Sequence, residues 1–272
     1  MTSPLPPNAR LVNIGTHSLA LYAHGPAPST PTSPVVLFVS GNIALELALL
    51  IERAPIPNPL IIVGHSWAGV LTHEYFALKG VSQVAGLVLV DANHETAPLV
   101  LDVNDPVLWK VAAGVDVYAA WGLEATHKLT PEEWDAFRAA GATEKHKLIA
   151  QREESEYAAS FEALRRKGAG RQPILGDRPV YVVVGTRSRD WSGLYAAGVA
   201  RGNGTEEERK YVRGLIETVD EKCEGLMREF LKVSRRSEIV FARESGHFVQ
   251  MTQPDVVVDA VRWVLENQPA PS

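Results

Sequence analysis

The sequence predicts an α/β fold: a mostly parallel central sheet with helices on both faces. Three observations carry this. The runs Val35-Val36-Leu37-Phe38-Val39, Leu60-Ile61-Ile62-Val63, Leu87–Val90 and Val180–Val184 are continuously apolar, as strands buried on both faces are. Between the first two runs the pattern turns helical, with Ile43, Leu47, Leu50 and Ile51 on one face and Glu46 and Arg53 away from it. From Ala92 to about Gly176 no strand pattern occurs, so residues 92–176 are expected to form a helical lid inserted in a single domain of residues 1–272.

The elements follow in order. Residues 10–23 read as a hairpin: Leu11, Val12 and Ile14, a turn near Gly15-Thr16-His17, then Leu19–Tyr22. Residues 25–34, rich in proline, serine and threonine, read as a loop. The helix from Ile43 to Arg53 is stopped by Pro55 and Pro57. A helix from about Trp67 to Lys79 closes at Gly80, which suits a left-handed cap. Inside the insertion, Thr130-Pro131-Glu132-Glu133 starts a helix, with threonine at the N-cap, proline first and glutamate third. Further helices are expected at about 105–120 and 145–167. A charged helix covers about 205–233, a strand Glu238–Ala242, and a last amphipathic helix runs from Pro254 to about Leu265.

Composition narrows the function classes. With 46% hydrophobic and 22% charged residues and a net charge of −5, the 272-residue chain is globular. No basic stripe suggests nucleic acid, and no apolar run approaches the roughly 20 residues of a membrane span. Met1–Arg10 carries three prolines and no apolar core, so no leader is expected. The lone Cys223 cannot form an internal disulfide, which points to a reducing, cytoplasmic compartment. Its neighbours Asp220, Glu221 and Glu224 disfavour a thiolate. Neither zinc-type ligand spacing nor a glycine-rich phosphate loop is present, so no metal or cofactor is expected.

Two segments carry chemistry. Gly64-His65-Ser66-Trp67-Ala68-Gly69 joins a buried strand to a helix. A serine on such a sharp turn has an exposed hydroxyl, and the following backbone N–H points to the same spot. Gly64 and Ala68 are small enough for the tight turn; the plainer role for Ser66 is a helix N-cap. Glu244-Ser245-Gly246-His247-Phe248 lies between the last strand and the last helix. An imidazole, which titrates near neutrality, suits a group that takes a proton and returns it.

With these segments in this order, the chain resembles the α/β-hydrolase superfamily over nearly its whole length. The resemblance implies Ser66 as nucleophile, His247 as general base and an oxyanion hole made by the N–H groups of Trp67 and Asn42. The family often has His-Gly where this chain has Ser40-Gly41, and glycine where it has Ala68. Backbone donors tolerate the first change, and alanine avoids a bulky side chain at the second. Two residues are candidates for the triad acid. Asp190 follows the Val180–Val184 strand, the commonest position, but lies five residues beyond Gly185 in the company of Arg187 and Arg189. Asp91 ends the Leu87–Val90 strand, a position that some members use. His65 is expected to pack, and His94 is a candidate pocket residue.

One part of the family pattern is missing. Between Gly41 and Pro59 lie 17 residues, 42–58, where the family places a helix, a strand and a second helix, roughly 46 residues. One helix fits, so a strand–helix unit is absent. The hairpin must pair directly with the Val35 strand or leave that strand's edge open. The function implied is serine hydrolysis of an ester, lactone or similar small apolar acyl compound. Leu99, Leu101, Trp109, Tyr118 and Trp121 are available either as its pocket or as the insertion's own core. A binding protein that lost site geometry with the missing unit, or another cofactor-free chemistry on this fold, are the alternatives.

Overall fold

The structure is a computed structural model that describes residues 7–26, 28–30, 33–40, 44–54, 56–167 and 173–269. Its centre is a five-stranded parallel sheet of β3 (Val35–Ser40), β4 (Leu60–His65), β5 (Val84–Val90), β6 (Val180–Val184) and β7 (Ser237–Phe241), adjacent in chain order. The apolar runs therefore sit in the sheet as expected. Every residue of β4 and β5 is buried, because both faces are covered.

Strand alternation sorts the core into two layers. Leu60, Ile62, Leu87, Leu89, Val180 and Val182 meet α1 (Ala44–Arg53) and α2 (Ala68–Lys79) on one face. Ile61, Val63, Val88 and Val183 meet Val257, Ala260 and Val264 of the C-terminal helix Pro254–Glu266 on the other.

The hairpin β1 (Ala9–Asn13) and β2 (Ser18–Tyr22) forms its own two-stranded sheet and does not join the large one. It leans on α1, through Arg53 donating to the Asn13 carbonyl at 3.3 Å and a contact of His17 Nε2 with Glu46 Oε1 at 3.3 Å. Of the two arrangements the shortened chain allowed, the structure takes the open edge. Among the described residues β3 pairs with β4 alone, and Phe38 on it is 70% exposed.

The described residues of 92–176 contain helices and no strand, but shorter helices than the sequence suggested. The insertion opens with α3 (Ala97–Val100). The expected 105–120 helix is two pieces, α4 (Pro106–Val111) and α5 (Val117–Ala120). Gly114 turns between them at φ 69°, and Asp116 caps the second piece by accepting from Tyr118 N and Ala119 N. After the short α6 (Leu123–Thr126), Thr130 does form its capping box with Glu133, opening α7 (Pro131–Ala142). The expected 145–167 helix breaks into α8 (Glu144–Ser155) and α9 (Tyr157–Lys167). Ile43, the expected start of α1, lies outside the described residues.

The stretch after β6 holds a helix the sequence did not announce, α10 (Arg187–Ala200), ahead of the expected long one, α11 (Glu206–Glu229). Glycines within α10 make it a docking surface. A Cβ on Gly193 would lie 1.9 Å from the Ala120 carbonyl oxygen, and one on Gly198 would lie 2.0 Å from that of Val111. The short helices α4 and α5 thus rest backbone-first on α10. Leu108, Val111, Trp191, Leu194, Val212 and Val219 form a third apolar cluster there.

Candidate active site

The sheet's ends bring the chemistry together. β4 runs straight into Ser66, which sits at φ 57°, a left-handed conformation that costs a non-glycine residue roughly 1–2 kcal/mol. Surrounding bonds hold it there. Ser66 N donates to the Val90 carbonyl at 3.2 Å, and the Ser66 carbonyl accepts from Gly69 N at 3.1 Å and Asn93 N at 2.8 Å. Gly69 is small for a reason, since a Cβ would lie 2.5 Å from the Asn93 carbonyl oxygen. α2 begins at Ala68, so the Trp67 N–H stands beside Ser66 at the open end of the helix, outside its own ladder. Asn42, the expected second oxyanion donor, lies outside the described residues.

His247 Nε2 is 2.9 Å from Ser66 Oγ, and its Nδ1 is 2.6 Å from Asp91 Oδ2. Asp91 follows β5 directly, in a second left-handed turn at φ 39°. Its other oxygen accepts from Gly185 N at 3.1 Å. Arg187 Nη2 donates to the same Oδ2 at 2.9 Å and comes within 3.4 Å of His247 Nδ1. Burial alone would raise the Asp91 carboxyl, but the Arg187 guanidinium and then the His247 contact hold it well below the usual carboxylate range. Arg187 is a component that sequence reading passed over. Nothing local marks it, because its partner is 96 residues away.

Asp190 reaches the same histidine by a different route. Its Oδ2 accepts the His247 backbone N–H at 2.8 Å, not the ring. The approach requires Gly246: a Cβ there would lie 1.8 Å from Asp190 Oδ1. Gly185 is matched to it, since a Cβ there would lie 2.3 Å from the Gly246 carbonyl oxygen. Burial pushes the Asp190 carboxyl up to about 6, against the opposing pull of Arg187. Of the two candidate acids, then, Asp91 faces the ring and Asp190 the main chain.

The other singled-out residues fall as follows. His65 donates from Nε2 to the His247 carbonyl at 2.9 Å, and burial, with His247 close by, pushes it down to about 3. His94 is buried edge-on to Phe230, with ring centroids 4.8 Å apart. Burial pushes the Cys223 thiol up to about 11, so no thiolate forms there. Of the five apolar residues proposed for a pocket, Tyr118 and Trp121 surround Phe248 beside His247. Leu99 points out at 68% exposure, Trp109 is held by the Val103 carbonyl, and Leu101 packs under α4. Opposite, the Trp67 ring stacks on Tyr157 of α9 at 4.4 Å. Among the described residues no cluster of three His, Cys, Asp or Glu could hold a metal, and no helix is long and apolar enough to cross a membrane.

Comparison with known proteins agrees with the fold. Residues 3–260 match the Alpha/beta hydrolase family. An AB hydrolase superfamily protein of Gibberella zeae is 25% identical over 260 residues, covering 92% of this chain and 79% of that protein. A probable transporter, efuK, of Hormonema carpetanum is 27% identical over 233 residues, 84% of this chain; the match takes in only 32% of that much longer protein. Among solved structures, a bromoperoxidase from Bacillus anthracis superposes with a TM-score of 0.54 at 13% identity, covering 95% of this chain and 99% of that one. The serine hydrolase CarC, involved in carbazole degradation, gives 0.52 at 15% identity, covering 95% and 98%. Such low identities speak for the fold alone, and the family match over nearly the whole length supplies the rest: the chain belongs to the alpha/beta hydrolase family.

Proposed function

We propose that the protein is a serine hydrolase that cleaves a small ester, lactone or similar acyl compound. One observation carries the reading: Ser66 Oγ, the His247 ring and the Asp91 carboxylate lie in one line of contacts of 2.9 and 2.6 Å. In this mechanism His247 Nε2 takes the Ser66 proton as Oγ bonds to the substrate carbonyl carbon. The oxyanion is held by the Trp67 N–H, with Asn42 expected as the second donor. The imidazolium returns its proton to the departing oxygen as the old acyl bond breaks. Water, deprotonated in turn by His247, then releases the acyl group from Ser66. Asp91 keeps Nδ1 protonated, so that Nε2 is the free base.

On this reading residues 92–176 act as a lid over the site, with Tyr118 and Trp121 offering an apolar wall. A second reading, a fold-sharing binding protein without turnover, has one observation in its favour. The edge strand β3 leads directly into the segment that should carry the Asn42 donor. A fluorophosphonate probe followed by peptide mass spectrometry separates the two. The hydrolase reading expects a single labelled serine, Ser66, and no labelling in Ser66→Ala. An unlabelled wild-type protein would leave the binding reading standing.

A further inference from the structure

Asn93 and Tyr157 make a polar contact at the nucleophile that the triad does not use. Asn93 is fixed in place, its N–H on the Ser66 carbonyl at 2.8 Å and its own carbonyl against Gly69. Its carboxamide spans the site. Oδ1 lies 3.5 Å from Ser66 Oγ, and Nδ2 donates to the Tyr157 hydroxyl oxygen at 2.7 Å. Tyr157 comes from the inserted helices, at the first position of α9. Its ring is clamped between Trp67, stacked at 4.4 Å, and Phe161, edge-on at 4.6 Å. Trp67 is the residue whose N–H is assigned to the oxyanion in the proposed mechanism, and the phenol stacks on its ring.

The hydrogen-bond count of Tyr157 is uneven. A phenol has one proton to give, and its oxygen accepts. The oxygen is supplied by Asn93, and among the described residues the hydroxyl is not seen to donate a hydrogen bond of its own. Burial pushes this hydroxyl up to about 12, so it stays a donor at every working pH. A partly buried tyrosine hydroxyl ordinarily finds a partner. Here the place for one is beside the nucleophile, one amide group away from Ser66 Oγ.

Resting on the serine-hydrolase reading, we infer that the Tyr157 hydroxyl is a specificity determinant that donates to a second oxygen of the substrate, an ether, keto or ring oxygen within a few bonds of the scissile carbonyl. The preferred acyl group is then oxygenated rather than a plain alkyl chain. The aromatic clamp contributes by holding the donor still, and Asn93 by orienting its proton away from the protein.

The test uses three acyl groups of equal length: the p-nitrophenyl esters of pentanoate, ethoxyacetate and 3-methoxypropanoate. Intrinsic reactivity differs among them, so each kcat/KM is compared between wild type and Tyr157→Phe, which keeps the ring clamp. At least one oxygenated ester should lose about tenfold more than pentanoate in the variant, the worth of one hydrogen bond at a buried site. Fluorophosphonate labelling of Ser66 should be unchanged. An equal loss for all three esters, with Ser66 still labelled, overturns the specificity role and spares the hydrolase reading. Absence of both labelling and turnover in the wild type overturns the hydrolase reading, and this inference with it.

Discussion

Replacing Asp91 and Asp190 by asparagine, one at a time, should give opposite results, and the structure says why. The Asp91 carboxylate faces donors on both oxygens: Gly185 N on Oδ1, and His247 Nδ1 with Arg187 Nη2 on Oδ2. An amide has one accepting end. Whichever way the substituted amide is turned in Asp91→Asn, its NH₂ meets a donor, either the Gly185 N–H or the pair on the far side. If it faces His247, the ring is held in the wrong tautomer, a change that costs about 10⁴-fold in turnover where it has been isolated in a serine protease. The buried Arg187 also loses its counter-charge, which costs about 3–5 kcal/mol. At Asp190 the demand is smaller. Oδ2 accepts one N–H, from His247, and an amide oxygen can do the same. The site even prefers a neutral group, since burial pushes that carboxyl up to about 6. Asp190→Asn should therefore keep turnover within about threefold and melt no lower than wild type. Steady-state kinetics on a p-nitrophenyl ester and thermal melting measure both. A collapse of kcat in Asp190→Asn with Asp91→Asn near wild type would refute the assignment of the two acids.

Two further outcomes follow. Gly246→Ala places a methyl where Asp190 sits, 1.8 Å from its Oδ1, so the loop must shift; a loss of about 1–3 kcal/mol in denaturant titration and a drop in kcat larger than any change in KM are expected. Acid should also destabilise the fold early. His65 is pushed down to about 3, His94 to about 4, and buried His73 is lowered too, in each case chiefly by burial. Below the ordinary value near 6.5 the unfolded chain binds these protons while the folded one does not, so stability is complete above pH 6.5 and falls as pH drops toward 4. Asp190, raised to about 6, takes up a proton in the folded state and offsets one of these. His65 and His94 against Asp190 leave a net of about one proton, on the order of 1–1.5 kcal/mol per pH unit near pH 5, and His73 acts in the same direction; a flat melting temperature between pH 6.5 and 5 would contradict it.

Much of this architecture was legible from residues alone. A strand buried on both faces has no choice but to be apolar throughout, which is why β4, β5 and β6 stand out; β3 is equally apolar although Phe38 on it is 70% exposed. Ser66 and His247 are readable because their positions, strand to helix and strand to last helix, are local. What escaped reading is non-local. α10 was hidden by Gly193 and Gly198, which weaken a free helix but here admit the backbones of Ala120 and Val111. The choice between Asp91 and Asp190 depended on where the His247 loop is pinned, and Gly246 decides that only once Asp190 is packed against it. Arg187, Asn93 and Tyr157 acquire meaning from partners 64 to 96 residues distant. The opened edge of β3 was anticipated as one of two outcomes, because the count of residues after Gly41 allowed no strand to cover it.

That edge has a consequence for how the protein behaves in company. β3 is six residues long, Val-Val-Leu-Phe-Val-Ser, with no lysine, proline or other gatekeeper within it. On its outer side, among the described residues, every second residue offers an unsatisfied N–H and C=O, and Phe38 stands 70% exposed. Such a segment is self-complementary: a second molecule turned by a two-fold axis presents the same ladder in antiparallel register. Pairing of this kind scales with the number of molecules in solution and hardly at all with the strength of any one molecule's core. The expected outcome is dependence on concentration: a dilute sample should stay dispersed where a concentrated one at the same temperature joins edge to edge, which light scattering over a dilution series checks.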